Sequence, residues 1–151
     1  MKRLIRLLAT SLYTGYSPIA PGTTGSLLAL FIFWICPEFR GTLLAVAIAV
    51  TYAVGVWVAT EVEKTDGHDA SIINIDEVAG MWLSLLFLPV SAGFFWHIGG
   101  FFLFRIFDIV KPPPANQSQN LSKGWGVMTD DIIAGIYANL SLRLIFSLFG
   151  G

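Results

Sequence analysis

The sequence predicts an all-α integral membrane helical bundle of about five membrane helices or half-helices, preceded by a short interfacial helix. Three observations predict it. Of 151 residues, 55% are hydrophobic and only 13% charged, against roughly 25% charged in a typical soluble domain. The mean hydropathy is +0.71. Almost all of the ionisable residues gather in three polar blocks: the basic N-terminus with its Pro/Gly/Thr loop, residues 61–77 and residues 105–131, with long apolar stretches between them. The length suits a single domain over residues 1–151.

Lys2, Arg3 and Arg6 precede a short apolar stretch that Gly and Pro break at residues 15–22. That stretch is a poor match to a cleaved signal peptide. An interfacial helix over residues 3–12, with Arg3 and Arg6 near lipid phosphates, accounts for the same residues. From Leu27 to Thr60 the only charges are Glu38 and Arg40, which fall together around Pro37 and Gly41. This predicts a helical hairpin with a charged tip. Residues 41–60 suffice for the roughly 20 apolar residues of a spanning helix, whereas residues 24–36 fall short. The first arm should therefore start near Gly22 or span incompletely. Cys36, the lone cysteine, excludes an intrachain disulfide and reads as a buried or lipid-facing apolar residue.

Residues 78–104 contain no Asp, Glu, Lys or Arg, but Pro89 and Ser91-Ala92-Gly93 interrupt them. One long helix and a tight hairpin both fit the hydropathy. Pro89 removes a backbone donor and Gly93 favours a turn, so a break is expected at residues 89–93. The last helix should begin at Thr129 to Asp131 and run to about Phe149, leaving Gly150 and Gly151 to fray. With two hairpins, the N-terminus and both later polar blocks share one side. Seven of the nine Lys and Arg (Lys2, Arg3, Arg6, Lys64, Arg105, Lys111, Lys123) then lie there, which predicts a cytoplasmic face.

The net charge of −1 gives no basic excess for binding nucleic acid. Asp76 and Glu77 stand where an apolar run begins; acids there also suit a helix dipole, but ionisable groups at a membrane boundary are functional candidates. His68 with Asp69 lies in a loop and reads as solvated; His97, alone in an aromatic run, reads as structural or interfacial. Arg105, Asp108 and Lys111 are spaced by three, along one helix face that Pro112 to Pro114 end. Such a row is either an ion-pair ladder or two cations around a phosphate. The polar stretch ANQSQNLSKGW reads as a mobile loop, and Thr129 as a cap for a helix with Asp130 and Asp131 in its first turn.

Asp76, Glu77, Asp108, Asp130 and Asp131 make up half of the ten acids, each beside an apolar segment. Hard oxygen ligands without Cys or His partners suit Mg²⁺, and Mg²⁺ with phosphate implies phosphoryl transfer or hydrolysis. The loop SPIAPGTTGS precedes a helix expected near Thr24 or Gly25, where backbone N–H groups form an anion site or a plain helix cap. It lacks the Gly-Lys-Ser/Thr of a nucleotide-binding loop, and the chain lacks a Cys-x5-Arg or Asp-x-Asp phosphatase motif.

SPIAPGTTGS, IDEVAGMWL, FRIFDIVKPPP and GWGVMTDDIIAGIYA, in this order, resemble the phosphatidylglycerophosphatase A family. Its members are bacterial enzymes that convert phosphatidylglycerophosphate to phosphatidylglycerol. The resemblance implies Mg²⁺ dependence, a lipid substrate and a site on the cytoplasmic face of the inner membrane. It marks Asp76, Glu77, Asp108, Asp130 and Asp131 as catalytic, metal-holding acids. Arg105 and Lys111, with Thr23, Thr24 and Ser26 of the N-terminal loop, are then expected to bind phosphate, and Gly22 and Gly25 match the same loop. Attack by water and attack by a carboxylate both fit. One departure lies after Lys111-Pro112: the family commonly carries an aromatic and an Asp/Arg stretch where this chain has PPANQSQNLS. A non-enzymatic carrier of cations or lipids also predicts membrane carboxylates, but spread across depth rather than clustered at helix ends.

Overall fold

The structure is a computed structural model that describes residues 2–89 and 91–149. Among these residues it is all-helical: α1 (Lys2–Ala9), a 3-10 turn (Thr14–Tyr16), α2 (Pro21–Ile35), α3 (Gly41–Asp66), α4 (Ile75–Ser84), α5 (Phe94–Val110), α6 (Ala115–Ser118) and α7 (Gly124–Phe149). By length and composition α3 and α7, 26 residues each, can cross a membrane, while α2 is a shorter apolar helix. This is consistent with a helical membrane protein. Large apolar side chains such as Phe31, Phe95, Phe102, Ile109 and Leu144 lie exposed on the outside of the bundle, as a lipid-facing surface requires.

Helix directions follow from close contacts. The α4 and α7 helices run side by side in the same sense. A Cβ on Gly80 would lie 2.7 Å from the Asp131 carbonyl, and one on Gly135 would lie 2.6 Å from the Gly80 carbonyl. Lower down, Asn139 Nδ2 donates to the Ser84 and Leu86 carbonyls at 3.1 and 2.8 Å. The opposite sense holds for α5, whose Phe104 meets Gly80 and whose Gly100 meets Leu142. Likewise α3 runs against α7, with Gly55 at Met128 and the Val56 carbonyl at Gly124. The starts of α2, α4 and α7 and the ends of α3 and α5 therefore meet at one end of the bundle. There the three polar blocks converge, as two hairpins require.

Several boundaries differ from the sequence expectation. The break in the third apolar stretch opens at Leu85, one turn before Pro89, where Asn139 takes the Ser84 carbonyl at the end of α4 and the Leu86 carbonyl beyond it. The last helix starts at Gly124 rather than Thr129. Its glycines serve close packing instead of a turn: a Cβ on Gly124 would sit 2.4 Å from the Val56 carbonyl and 2.9 Å from the Thr60 nitrogen. Thr129 is thus no cap; its hydroxyl lies 2.9 Å from the Tyr52 hydroxyl, and Asp130 and Asp131 stand two turns inside α7. The stretch expected to be a mobile loop contains α6, with Ala115 and Ser118 buried. The α2 helix starts at Pro21, ahead of Thr24. His97 is structural, as expected, accepting from Trp34 Nε1 at 3.1 Å. Gly150 and Gly151, expected to fray, lie outside the described residues.

Candidate active site

The convergent end encloses a polar cavity of about 260 Å³, lined by Pro21, Gly22, Asp69, Ala70, Ser71, Ile73, Asp76, Glu77, Asp108, Lys111, Asp130 and Asp131. Each wall has a local cause. Asp76 and Glu77 occupy the first turn of α4, and that turn is held by Asn74, a fully buried residue. Asn74 Nδ2 donates to Thr14 Oγ1 at 2.9 Å and to the Pro21 carbonyl at 3.1 Å, while its carbonyl accepts from Ser11 Oγ at 3.2 Å. These bonds draw the start of α2 against α4. Gly22 must be a glycine there, since a Cβ would lie 2.1 Å from Glu77 Oε1 and 3.0 Å from Arg105 Nη1.

The α5 helix contributes the cationic wall. Arg105 Nη1 stands 2.7 Å from Asp108 Oδ2, the i,i+3 contact its spacing predicts. Lys111, at the left-handed cap that ends α5 before the prolines, is 3.7 Å from Asp108 Oδ1. Its hydrogen bond, however, goes to Asp130 Oδ2 on α7. Tyr137 fixes the proline segment by donating its hydroxyl to the Pro113 carbonyl at 2.7 Å. Burial by itself lowers the Lys111 pKa, but the hydrogen bond and charge of Asp130, with Asp131 and Asp108 adding, outweigh it and hold the ammonium above its usual value. Lys111 is therefore a permanent cation at the cavity.

Three carboxylates have no such partner. Asp76, Glu77 and Asp131 each place an oxygen within 4.8 Å of the others. Asp76 Oδ1, Glu77 Oε2 and Asp131 Oδ2 are buried without a hydrogen-bond partner among the described residues, and Asp131 is only 2% exposed. Burying unpaired like charges is costly unless a cation neutralises them. The donor set is all oxygen and can hold a hard divalent cation.

The N-terminal loop behaves differently from its expectation. Gly22 lines the cavity, but Thr24 Oγ1 donates to the Thr14 and Pro21 carbonyls at 2.9 and 2.7 Å. Ser26 Oγ, fully buried, donates to the Gly22 carbonyl at 3.0 Å. Thr23, Thr24 and Ser26 are absent from the cavity lining. The Thr24 and Ser26 hydroxyls are thus engaged with backbone carbonyls rather than turned to the cavity. What the start of α2 can offer is backbone: in its first turn the N–H groups have no intrahelical acceptor. Two features of the site were missed in the sequence, the lining residue Asp69 and the Asn74 tie. Asp69 stood in a loop whose direction only the fold supplies; Asn74 had a weak signal, being an amide directly before a helix start.

The family model for phosphatidylglycerophosphatase A matches residues 7–146. The chain belongs to the phosphatidylglycerophosphatase A family. It is similar to a protein of Escherichia coli named phosphatidylglycerophosphatase A, 37% identical over 86% of this chain and 76% of the relative. A protein of the same name in Haemophilus influenzae is 34% identical over 89% of this chain and 83% of the relative. A protein of Bacteroides thetaiotaomicron named putative phosphatidylinositol-3-phosphatase is 41% identical over 87% of both chains. No solved structure matches the chain. Membership makes the chain an enzyme, a lipid phosphatase of this family.

Proposed function

We propose that this phosphatidylglycerophosphatase A family member removes the terminal phosphate of phosphatidylglycerophosphate in a Mg²⁺-dependent reaction, giving phosphatidylglycerol for phospholipid synthesis. The observation that carries the metal is the trio of partnerless buried oxygens on Asp76, Glu77 and Asp131, in a cavity that Lys111 also lines. These three residues would hold the ion, which supplies positive charge for the phosphate oxygens as the P–O bond breaks. Lys111, which lines the cavity, would neutralise the phosphate, and Arg105, held against the lining residue Asp108, would add its charge from behind. Asp108 and Asp130 keep those two cations in place, which makes them orienting groups rather than ligands. The backbone N–H groups of Gly22 and Thr23 at the start of α2 add a dipole-favoured anion contact.

The family supports the headgroup, and clustering at one end of the bundle supports an enzyme over a carrier. The positive residues Lys2, Arg3, Arg6, Lys64, Arg105, Lys111 and Lys123 support a cytoplasmic site in a multi-pass protein of the bacterial inner membrane. A phosphatidylinositol phosphate is the second reading, favoured by the name of the Bacteroides relative. Both substrates present a phosphate monoester on a lipid headgroup, so the metal and cation walls serve either. The test is phosphate release from each lipid by the purified protein, with Mg²⁺ and with chelator. Faster Mg²⁺-dependent release from phosphatidylglycerophosphate is expected. A preference for the inositol lipid would replace the headgroup assignment, and release unaffected by chelator would defeat the metal.

A further inference from the structure

Six carboxylates line the cavity, and five have a commitment. Asp76, Glu77 and Asp131 form the oxygen cluster, and Asp108 and Asp130 contact Arg105 and Lys111. Asp69 is the sixth. Among the described residues it has no cation within ion-pair distance, and it is exposed to solvent.

Its position is built rather than incidental. Glu63, in the last turn of α3, has a side chain only 9% exposed. Its Oε1 accepts the Asp69 N–H at 3.0 Å and lies 2.7 Å from His68 Nδ1. Asp69 itself adopts the left-handed backbone, φ +50, a region Asp enters more readily than most residues. The bond from Glu63 thus turns the loop so that Asp69 faces the cavity between α4 and α7.

Hydrolysis of a phosphate monoester needs a proton removed from water and one delivered to the leaving oxygen. Carboxylates engaged by cations are poor proton acceptors, because the neighbouring charge favours their ionised form. Asp69 has no such cation beside it among the described residues and is open to solvent.

We propose that Asp69 is the proton-transfer residue of this site, and Glu63 its positioning residue. The proposal rests on the phosphate monoesterase reading above. Water oxygen bonds to phosphorus while its proton passes to the Asp69 carboxylate. The P–O bond to the headgroup breaks with its electron pair on the leaving oxygen, which then takes the proton from Asp69. An alcohol and inorganic phosphate leave, and Asp69 is again ionised.

The experiment uses the full chain in lipid–detergent micelles with Mg²⁺ and phosphatidylglycerophosphate. Asp69→Asn should lower kcat by about 10²- to 10⁴-fold, with KM and the Mg²⁺-induced rise in melting temperature unchanged. Exogenous formate should restore part of the rate to Asp69→Ala, since the position is open to solvent. Glu63→Gln should cost less than Asp69→Asn, and the double variant should be no slower than Asp69→Asn, because one residue acts through the other. An Asp69→Asn variant with wild-type kcat, an Asp69→Ala variant indifferent to formate, or loss of the Mg²⁺ thermal response would each overturn the proposal. Wild-type protein that releases no phosphate from either lipid would instead defeat the phosphatase reading itself.

Discussion

The two walls of the cavity are built on opposite electrostatic plans. On one, Asp108 and Asp130 are matched with Arg105 and Lys111. On the other, Asp76, Glu77 and Asp131 face each other with three oxygens unpartnered. The matched wall balances its charges within the folded chain, although Arg105 Nη1 makes no hydrogen bond among the described residues. The unmatched wall has no such partners among the described residues, so on the proposed metal reading folding and function make opposite demands on it. Charges in the same cavity, at similar burial, therefore carry different consequences when altered.

Asp131→Asn offers the sharpest way to break this contrast. It should reduce activity by about 10³-fold, the scale of removing one electrostatic stabiliser of a transition state. The same change removes a like charge from the unmatched wall, so the metal-free protein should melt no lower than wild type while losing its stabilisation by Mg²⁺. A melting temperature that falls without metal would mean that the unmatched wall is neutralised some other way.

On the matched wall the sign reverses. Lys111→Met leaves Asp130, 4% exposed, without its cation. Breaking a fully buried pair costs about 3–5 kcal/mol; Lys111 keeps 27% of its side chain exposed, so about 2 kcal/mol is expected here. Thermal melting with and without Mg²⁺ should show a loss in both conditions. Equal behaviour of Lys111→Met and Asp131→Asn would erase the distinction between the walls.

Gly135→Ala probes how the walls are brought together. Its Cβ would meet the Gly80 carbonyl at 2.6 Å, backbone against backbone, which only movement of α4 from α7 can relieve. Overpacking of this kind costs about 1–3 kcal/mol, and the strain should weaken Mg²⁺ affinity because Asp76 and Asp131 ride on these two helices. Titrating Mg²⁺ against melting temperature measures both effects. The smallest change is expected for Ser26→Ala. Its hydroxyl is engaged with the Gly22 carbonyl at 3.0 Å, so activity should stay near wild type with at most about 1 kcal/mol of stability lost. A large loss of kcat would return Ser26 to the phosphate site.

The helical class, the charged hairpin tip at Pro37 to Gly41 and the end of α5 at Lys111 were legible because each depends on local chemistry. Apolar length, a proline that cannot donate and a charge that avoids hydrocarbon act within a few residues. The start of α7 was not legible in that way. Gly124 looks like a turn residue until α3 is placed against it, and Gly126 until the Gln119 and Leu121 carbonyls fold back over it. Asn139 gave no sign that it would end α4, because its acceptors are more than 50 positions away.

By itself the sequence determined which acids and cations stand beside apolar segments, and its ordered motifs indicated the family. Tertiary structure alone decided their partners. It gave Lys111 to Asp130 rather than leaving it to its helical neighbour Asp108. It turned Thr24 and Ser26 toward backbone carbonyls, and it swung Asp69 into the cavity through Glu63. The physical reason is range: hydropathy and helix spacing act along the chain, whereas pairing of buried charges is set by which helices touch, and at what depth.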